Sequence, residues 1–210
     1  MPIAAANPVK IGRALTKGGF LRALFLHWPI ILSLAATLGG GAMVAKALYI
    51  PIKAEVAQVM LTRAFTQSVE TGAPVKPWSW ADTAPVAKVS AERLGVSEIV
   101  LSGGSGEAMA FGPTALVDDR ARGLTILAAH RDTHFTFVRD LEVGDTITLS
   151  RIDGSDTQYA VTAFETVRWD EFSYPTHGAD GLLALTTCYP FDTHEPGPLR
   201  RIVWAERVKR

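Results

Sequence analysis

Two regimes of hydrophobic patterning divide the chain. Across residues 24–45 there is no Asp, Glu, Lys or Arg, and the run reads LFLHWPIILSLAATLGGGAMVA. A helix needs about 20 apolar residues to cross a bilayer core, so this run predicts a membrane span. Pro29 lies near one end, where a kink is tolerated. Trp28 and Tyr49 fall near the two ends, where amphipathic rings favour the interface. After Pro51, the residues Ile52, Val56, Val59, Met60 and Phe65 recur at roughly helical spacing. That spacing predicts a short amphipathic helix packing through this face. The stretch TGAPVKPWSW, with Pro74 and Pro77, ends that helix and reads as a linker. Trp78 and Trp80 are placed to clamp it on the surface of the next domain.

Beyond Asp82 the pattern changes to short apolar runs broken by turns. Strands are predicted at 86–89, 98–101, 124–129, 146–151, 159–168, 182–188 and 200–208. Val143-Gly144-Asp145 and Asp153-Gly154-Ser155 supply turn chemistry between them. Seven short strands without long intervening helices predict an all-β barrel or sandwich.

Charge adds orientation. No acidic residue occurs before Glu55, while Lys10, Arg13, Lys17 and Arg22 precede the uncharged run and Lys46 and Lys53 follow it. The positive-inside rule then favours a cytoplasmic N-terminus, with the remainder outside the cytoplasm. A cleaved signal peptide is the competing reading, since Ala45-Lys46-Ala47 loosely fits a small-x-small site. Lys+Arg and Asp+Glu number 21 each, a balance without the excess positive charge that phosphate binding needs, so no nucleic-acid partner is expected. The single cysteine, Cys188, excludes an internal disulfide and a cysteine-based zinc cage.

Three stretches invite a chemical reading. Gly103-Gly104-Ser105-Gly106 lacks the Lys-Ser/Thr ending of a phosphate loop and reads as a connection between strands. His130 and His134 are four apart, but Arg131 stands where a zincin carries its general base, so no metal is assigned. Cys188 ends the run LLALTTC, where the strand turns polar before Pro190 forces a turn. A lone thiol is usually a small core residue. At a strand end outside the cytoplasm it is open to oxidation, and its presence there suggests a use. A thiol nucleophile needs a proton partner and a donor for the oxyanion. His130 also ends an apolar run, LTILAAH, and Arg200 opens the last strand twelve residues past the thiol. Arg200 and Arg201 are adjacent on that strand, so only one can face Cys188. Both strand faces are partly apolar, and periodicity does not choose between them.

Taken together, Ala-Leu-Thr-Thr-Cys at 184–188, AAHRDTHF around His130 and PLRRIVWAE around Arg200 resemble the sortases, membrane-anchored cysteine transpeptidases. The strings HRDTHF, TTCYPF, PWSWAD and MAFGP look most like the sortases of Gram-negative bacteria. Ala184 stands where the family pattern has Thr, and Ala129 where a Gly usually precedes the His. The resemblance implies a closed eight-stranded β-barrel behind an N-terminal transmembrane helix and a short juxtamembrane helix. It divides the chain into a cytoplasmic tail (1–23), an anchor (24–45), a juxtamembrane helix and linker (46–82) and a catalytic barrel (83–210). It chooses Arg200 over Arg201, and implies His130, Cys188 and Arg200 as catalytic residues, with Thr186, Thr187 and Ile202 toward substrate. It further implies cleavage of an LPXTG-like C-terminal sorting signal through a Cys188 thioester. Transfer then goes to an amine of the cell envelope, without a cofactor, from a single-pass position in the inner membrane. The competing functions are a hydrolytic cysteine peptidase and a membrane-tethered binding module with an inert cysteine. His177 and His194 are expected in loops.

Overall fold

A computed structural model describes residues 17–175, 181–193 and 195–209, with side chains from residue 27 onward. His177, His194, Lys10 and Arg13 lie outside the described residues or side chains. Contacts divide the chain into two units, 1–52 and 53–210.

The described part of the first unit, from Lys17 on, is helical. Helix α1 runs from Lys17 to Thr71 without a break, through Pro29 and Pro51, and so continues into the second unit. Its apolar stretch from His27 is long enough to cross a membrane by length and composition. The separate juxtamembrane helix expected after Pro51 is thus the continuation of α1. Proline removes one backbone hydrogen bond, and the helix runs on through position 51 despite that loss, with no glycine beside it. The packing face also differs from the expected one. Ala57, Leu61, Ala64 and Ser68 are buried, whereas Ile52, Val56 and Val59 remain exposed. The buried residues recur at four, three and four, an equally helical stripe of smaller side chains that lets the helix approach closely. Leu61 enters a small cluster with Leu101 and Ala108. Trp78 packs edge-on against Phe111, with centroids 5.2 Å apart, while Trp80 is 82% exposed and clamps nothing.

Eight strands close the barrel of the second unit: β1 (Pro85–Ala91), β2 (Val96–Leu101), β3 (Thr114–Asp119), β4 (Leu124–Ala128), β5 (Thr146–Arg151), β6 (Asp156–Arg168), β7 (Leu182–Cys188) and β8 (Leu199–Arg207). Their order around the barrel is β1-β2-β3-β4-β7-β8-β6-β5. Seven match the runs read from the sequence; β3 is the eighth. A four-residue helix, α2 (Gly106–Met109), follows the glycine-rich loop and is capped by Ser105. Gly144 and Gly154 take positive φ in the two turns flanking β5, the conformation for which glycine is suited.

The two most continuous apolar runs, LTILA and LLALTTC, become the parallel neighbours β4 and β7. A strand covered on both faces loses the alternation of a half-exposed one. Inward, Leu127, Leu183, Leu185 and Val203 join the main core. Outward, Leu124, Ile126, Ala184 and Ile202 form a second cluster covered by Phe172 and Trp204, whose rings stack 6.1 Å apart.

At the turn before β5, Arg93 donates from Nε and Nη2 to both oxygens of Asp145, at 2.6 and 2.8 Å, and the Glu142 amide donates at 2.7 Å. The Arg93 bonds outweigh desolvation and hold the Asp145 carboxyl below its usual pKa, with the Glu142 amide adding to them. A depressed folded pKa gives stability that is complete above the unfolded value and is lost as pH falls through the folded one. The urea midpoint of Asp145→Asn is therefore expected to lie well below wild type at pH 6. That gap should close as pH drops below about 4, near the unfolded carboxylate value. A gap that widens on acidification would contradict this role.

Candidate active site

The register of three neighbouring strands builds the site. In the antiparallel pair β7–β8, Cys188 lies directly opposite Arg200, Thr187 opposite Arg201 and Thr186 opposite Ile202. Residues directly opposite share a face of the sheet. Cys188, Arg200, Thr186 and Ile202 therefore point outward, on the face of the second cluster. Thr187 and Arg201 point the other way, and the Arg201 guanidinium sits 4.8 Å from the Phe164 ring. The structure thus puts Arg200 on the thiol's face.

On the other side of β7, Ala128 of β4 pairs in parallel with Thr186. Two further bonds carry that register past the end of β4. The Ala129 amide donates to the Thr186 carbonyl at 3.3 Å, and Thr187 Oγ1 donates to the Ala129 carbonyl at 2.7 Å. The next residue is His130, just past the end of β4. Continued by one position, this register would set His130, Cys188 and Arg200 in one row, of which the pairing of Cys188 with Arg200 is the part made by the strands.

Their exposure suits chemistry on a solute. His130 is exposed, and Cys188 and Arg200 are half-buried. Arg200 Nη1 donates to the carbonyls of Gly197 and Leu199 at 2.9 and 2.8 Å, which fixes the guanidinium plane at the start of β8. Among the described residues no hydrogen bond uses its Nε or Nη2. The loop after β7 folds back by the Tyr189 amide donating to the Leu199 carbonyl at 3.1 Å.

Three of the six residues read toward this site are not presented to a solute. Ile202 has no exposed surface, and Thr187 and Thr186 are 2% and 7% exposed. The expectation that Ile202 touches a bound peptide does not match its burial beneath Phe172 and Trp204. Thr187 instead holds the β4 end against β7. Thr187→Val should lose about 1–3 kcal/mol of unfolding free energy, because it strips a partner from a buried carbonyl. A raised KM with unchanged stability would show instead that Thr187 meets the substrate.

The turn after His130 is held at both sides. The His130 carbonyl accepts the amides of Thr133 and Phe135 at 3.4 and 3.1 Å, and Phe135 is wholly buried. His134 Nδ1 lies 2.8 Å from Glu98 Oε2 on β2. This pair ties the turn to the far strand. Among the described residues no three of His, Cys, Asp and Glu gather into a metal-holding group.

Arg131 is the residue the sequence did not reveal. It is 5% exposed, and its Nη2 donates at 2.7 Å to the Glu195 carbonyl, in the loop between Cys188 and Arg200. Its Nε lies 3.4 Å from Asp132 Oδ1. Arg131 thereby joins the loop carrying His130 to the loop that separates the other two. Nothing in an Arg-Asp pair announces burial, since the Glu195 carbonyl that receives it comes from 64 residues later.

Arg200→Ala is expected to lower kcat by about 10²–10³, the usual loss of one oxyanion donor. Arg201→Ala, on the opposite face, should lose far less, and Arg200→Lys should recover little without the planar fork. A dead Arg201→Ala beside an active Arg200→Ala would remove Arg200 from the site.

The fold and this row meet the comparisons at the same place. The sortase domain family matches residues 89–208, more than half of the chain, and the chain belongs to that family. Sortase D of Bacillus subtilis (strain 168) is 38% identical over 88 residues, which cover 41% of this chain and 43% of that protein. The match thus spans less than half the length of that relative. Among solved structures, sortase A from Corynebacterium diphtheriae aligns with a TM-score of 0.52 at 19% identity, over 62% of this chain and 64% of that one. Sortase C from Clostridium perfringens, solved with its C-terminal cell wall sorting motif, aligns with a TM-score of 0.53 at 18% identity, over 75% and 90%. At these identities the likeness speaks for the fold: a closed eight-stranded barrel of the sortase kind.

Proposed function

We propose that this protein is a membrane-anchored cysteine transpeptidase of the sortase kind, and that the row His130–Cys188–Arg200 is its catalytic centre. The observation that carries the reading is the register that pairs Cys188 with Arg200, supported by the bonds that hold the chain just before His130 against β7. Cys188, as thiolate, attacks the Thr–Gly carbonyl of an LPXTG-like sorting signal. The tetrahedral oxyanion forms beside Arg200. His130, as imidazolium, gives its proton to the glycine amine as the C–N bond breaks, leaving a thioester on Cys188. An amine of the cell envelope, deprotonated by the now neutral His130, attacks the thioester and releases the thiolate. A peptide is exchanged for a peptide, and no cofactor enters.

We place the chain across the inner membrane once, with a basic tail (1–23) in the cytoplasm, the span at 24–45 and the barrel outside the cytoplasm. The strings HRDTHF, TTCYPF and PWSWAD support the Gram-negative class of sortases for this chain. The 38%-identical stretch is shared with a Bacillus protein and does not bear on that finer class. Protease added outside the inner membrane should remove the barrel and leave a small anchored fragment; protection of the barrel would overturn the topology.

The test of activity is incubation with an LPXTG-like peptide, with and without a candidate amine. Transpeptidation predicts a peptide–amine product that grows at the expense of the hydrolysed acid. Acid alone, whatever the amine concentration, would make this a hydrolytic peptidase. No cleavage, with Cys188 unreactive to thiol reagents in the native protein, would favour a tethered binding module.

A further inference from the structure

An apolar groove on the second unit lies outside the row just described. One wall is α1 at Lys53, Val56 and Met60; the other is the linker at Trp78 and Trp80, with Phe111 beside it. Its volume is about 490 Å³, a size that elsewhere holds an organic ligand. Trp80 stands 82% exposed at this groove. A large aromatic ring left in water beside an apolar cleft is the mark of an interaction surface.

The helix points to the occupant. Leu48, Ile52, Val56 and Val59 recur at four, four and three along α1, and each is at least half exposed. Ile52, Val56 and Val59 are among the positions whose spacing promised a packing face, and they remain exposed. The stripe begins three residues after the uncharged run, and Val56 within it lines the groove. Lys53, the groove's first residue, follows the last residue of that run by eight positions, about 12 Å along a helix. The tether is too short to carry the groove far from the headgroup layer. The charged groups of the lining, Lys53 against Asp82 and Glu107, match a headgroup that carries both signs. Tryptophan is also enriched at membrane–water interfaces.

We propose that the groove seats an acyl chain of a zwitterionic phospholipid from the bilayer that holds the span. Lys53 meets the phosphate, and Trp78 and Trp80 flank the chain. This rests on the membrane anchorage proposed above. The consequence is a barrel held against the membrane surface by its own linker, with the anchor serving as more than a leash.

The full-length protein is reconstituted into vesicles of phosphatidylcholine brominated along the acyl chains, and tryptophan emission is read. Trp80→Phe is exposed and should fold as wild type. If Trp80 touches lipid, the variant loses a quenched emitter, and the quenched share of total emission falls. If Trp80 stands in water, the variant loses an unquenched emitter and the share rises, which overturns the proposal. An unchanged share overturns it as well. Acrylamide supplies the second reading. Trp80 shielded from both acrylamide and bromine would mean a protein cover, such as a second copy, in place of lipid. Trp28→Phe separates this from the anchorage itself: if its removal does not lower the quenched share, the span is not in the bilayer.

Discussion

Replacing Cys188 by alanine is expected to abolish both cleavage of a sorting-signal peptide and formation of a covalent adduct. The thiol is the only cysteine in the chain, so no neighbour can take its place. It sits at the end of β7, half-buried and paired across to Arg200 on β8. The variant removes one sulfur atom at a partly exposed position, and such changes leave folding stability within a few tenths of a kcal/mol, on the order of 0.5. Loss of activity with an unchanged urea midpoint is therefore the expected pair of results. Substantial turnover by Cys188→Ala would refute the nucleophile.

His130→Ala is expected to slow acylation by about 10²–10⁴, the range for a positioned acid–base group. The bonds of Ala129 with Thr186 and Thr187 hold the chain alongside β7 immediately before His130. His134 is four residues on, with Nδ1 paired to Glu98 on β2. Its replacement by alanine should loosen the turn and cost far less in rate. The split between the two variants is what distinguishes them, and it is read as single-turnover acylation at saturating peptide. Equal losses in both, reversed by no added peptide and accompanied by inhibition with a chelator, would point back to a shared metal and away from a thiol–imidazole pair.

Much of this arrangement was legible because the relevant strands are covered on both faces. LTILAAH and LLALTTC are unbroken apolar runs ending in a polar group, and continuous burial leaves that trace in sequence. The closing strand β3 left none. Its sequence TALVDD exposes Leu116 and ends in two aspartates, and pairing with β4 plus a single bridge to β2 holds it in place. The choice between Arg200 and Arg201 was hidden for a related reason. Ile202 and Trp204 serve the outer cluster while Val203 and Ala205 serve the core, so both faces of β8 read as apolar. The covering of Ile202 by Phe172 depends on a segment about thirty residues earlier in the chain, and no local pattern encodes it. The same holds for α1, where periodicity found a helix but chose the larger side chains as its packing face. Small residues allowed the closer approach, and the barrel took the stripe of Ala57, Leu61 and Ala64 instead.

The central claim, that Cys188 carries the acyl group beside His130 and Arg200, is tested most directly by intact-mass measurement of the protein mixed with an LPXTG-like peptide and quenched in acid within the first turnover. The account predicts a mass increase equal to the peptide up to its threonine, mapped by fragmentation to Cys188 and removed by an added amine. Cleavage of the peptide with the protein mass unchanged at every time, or an adduct mapped to any other residue, would contradict it.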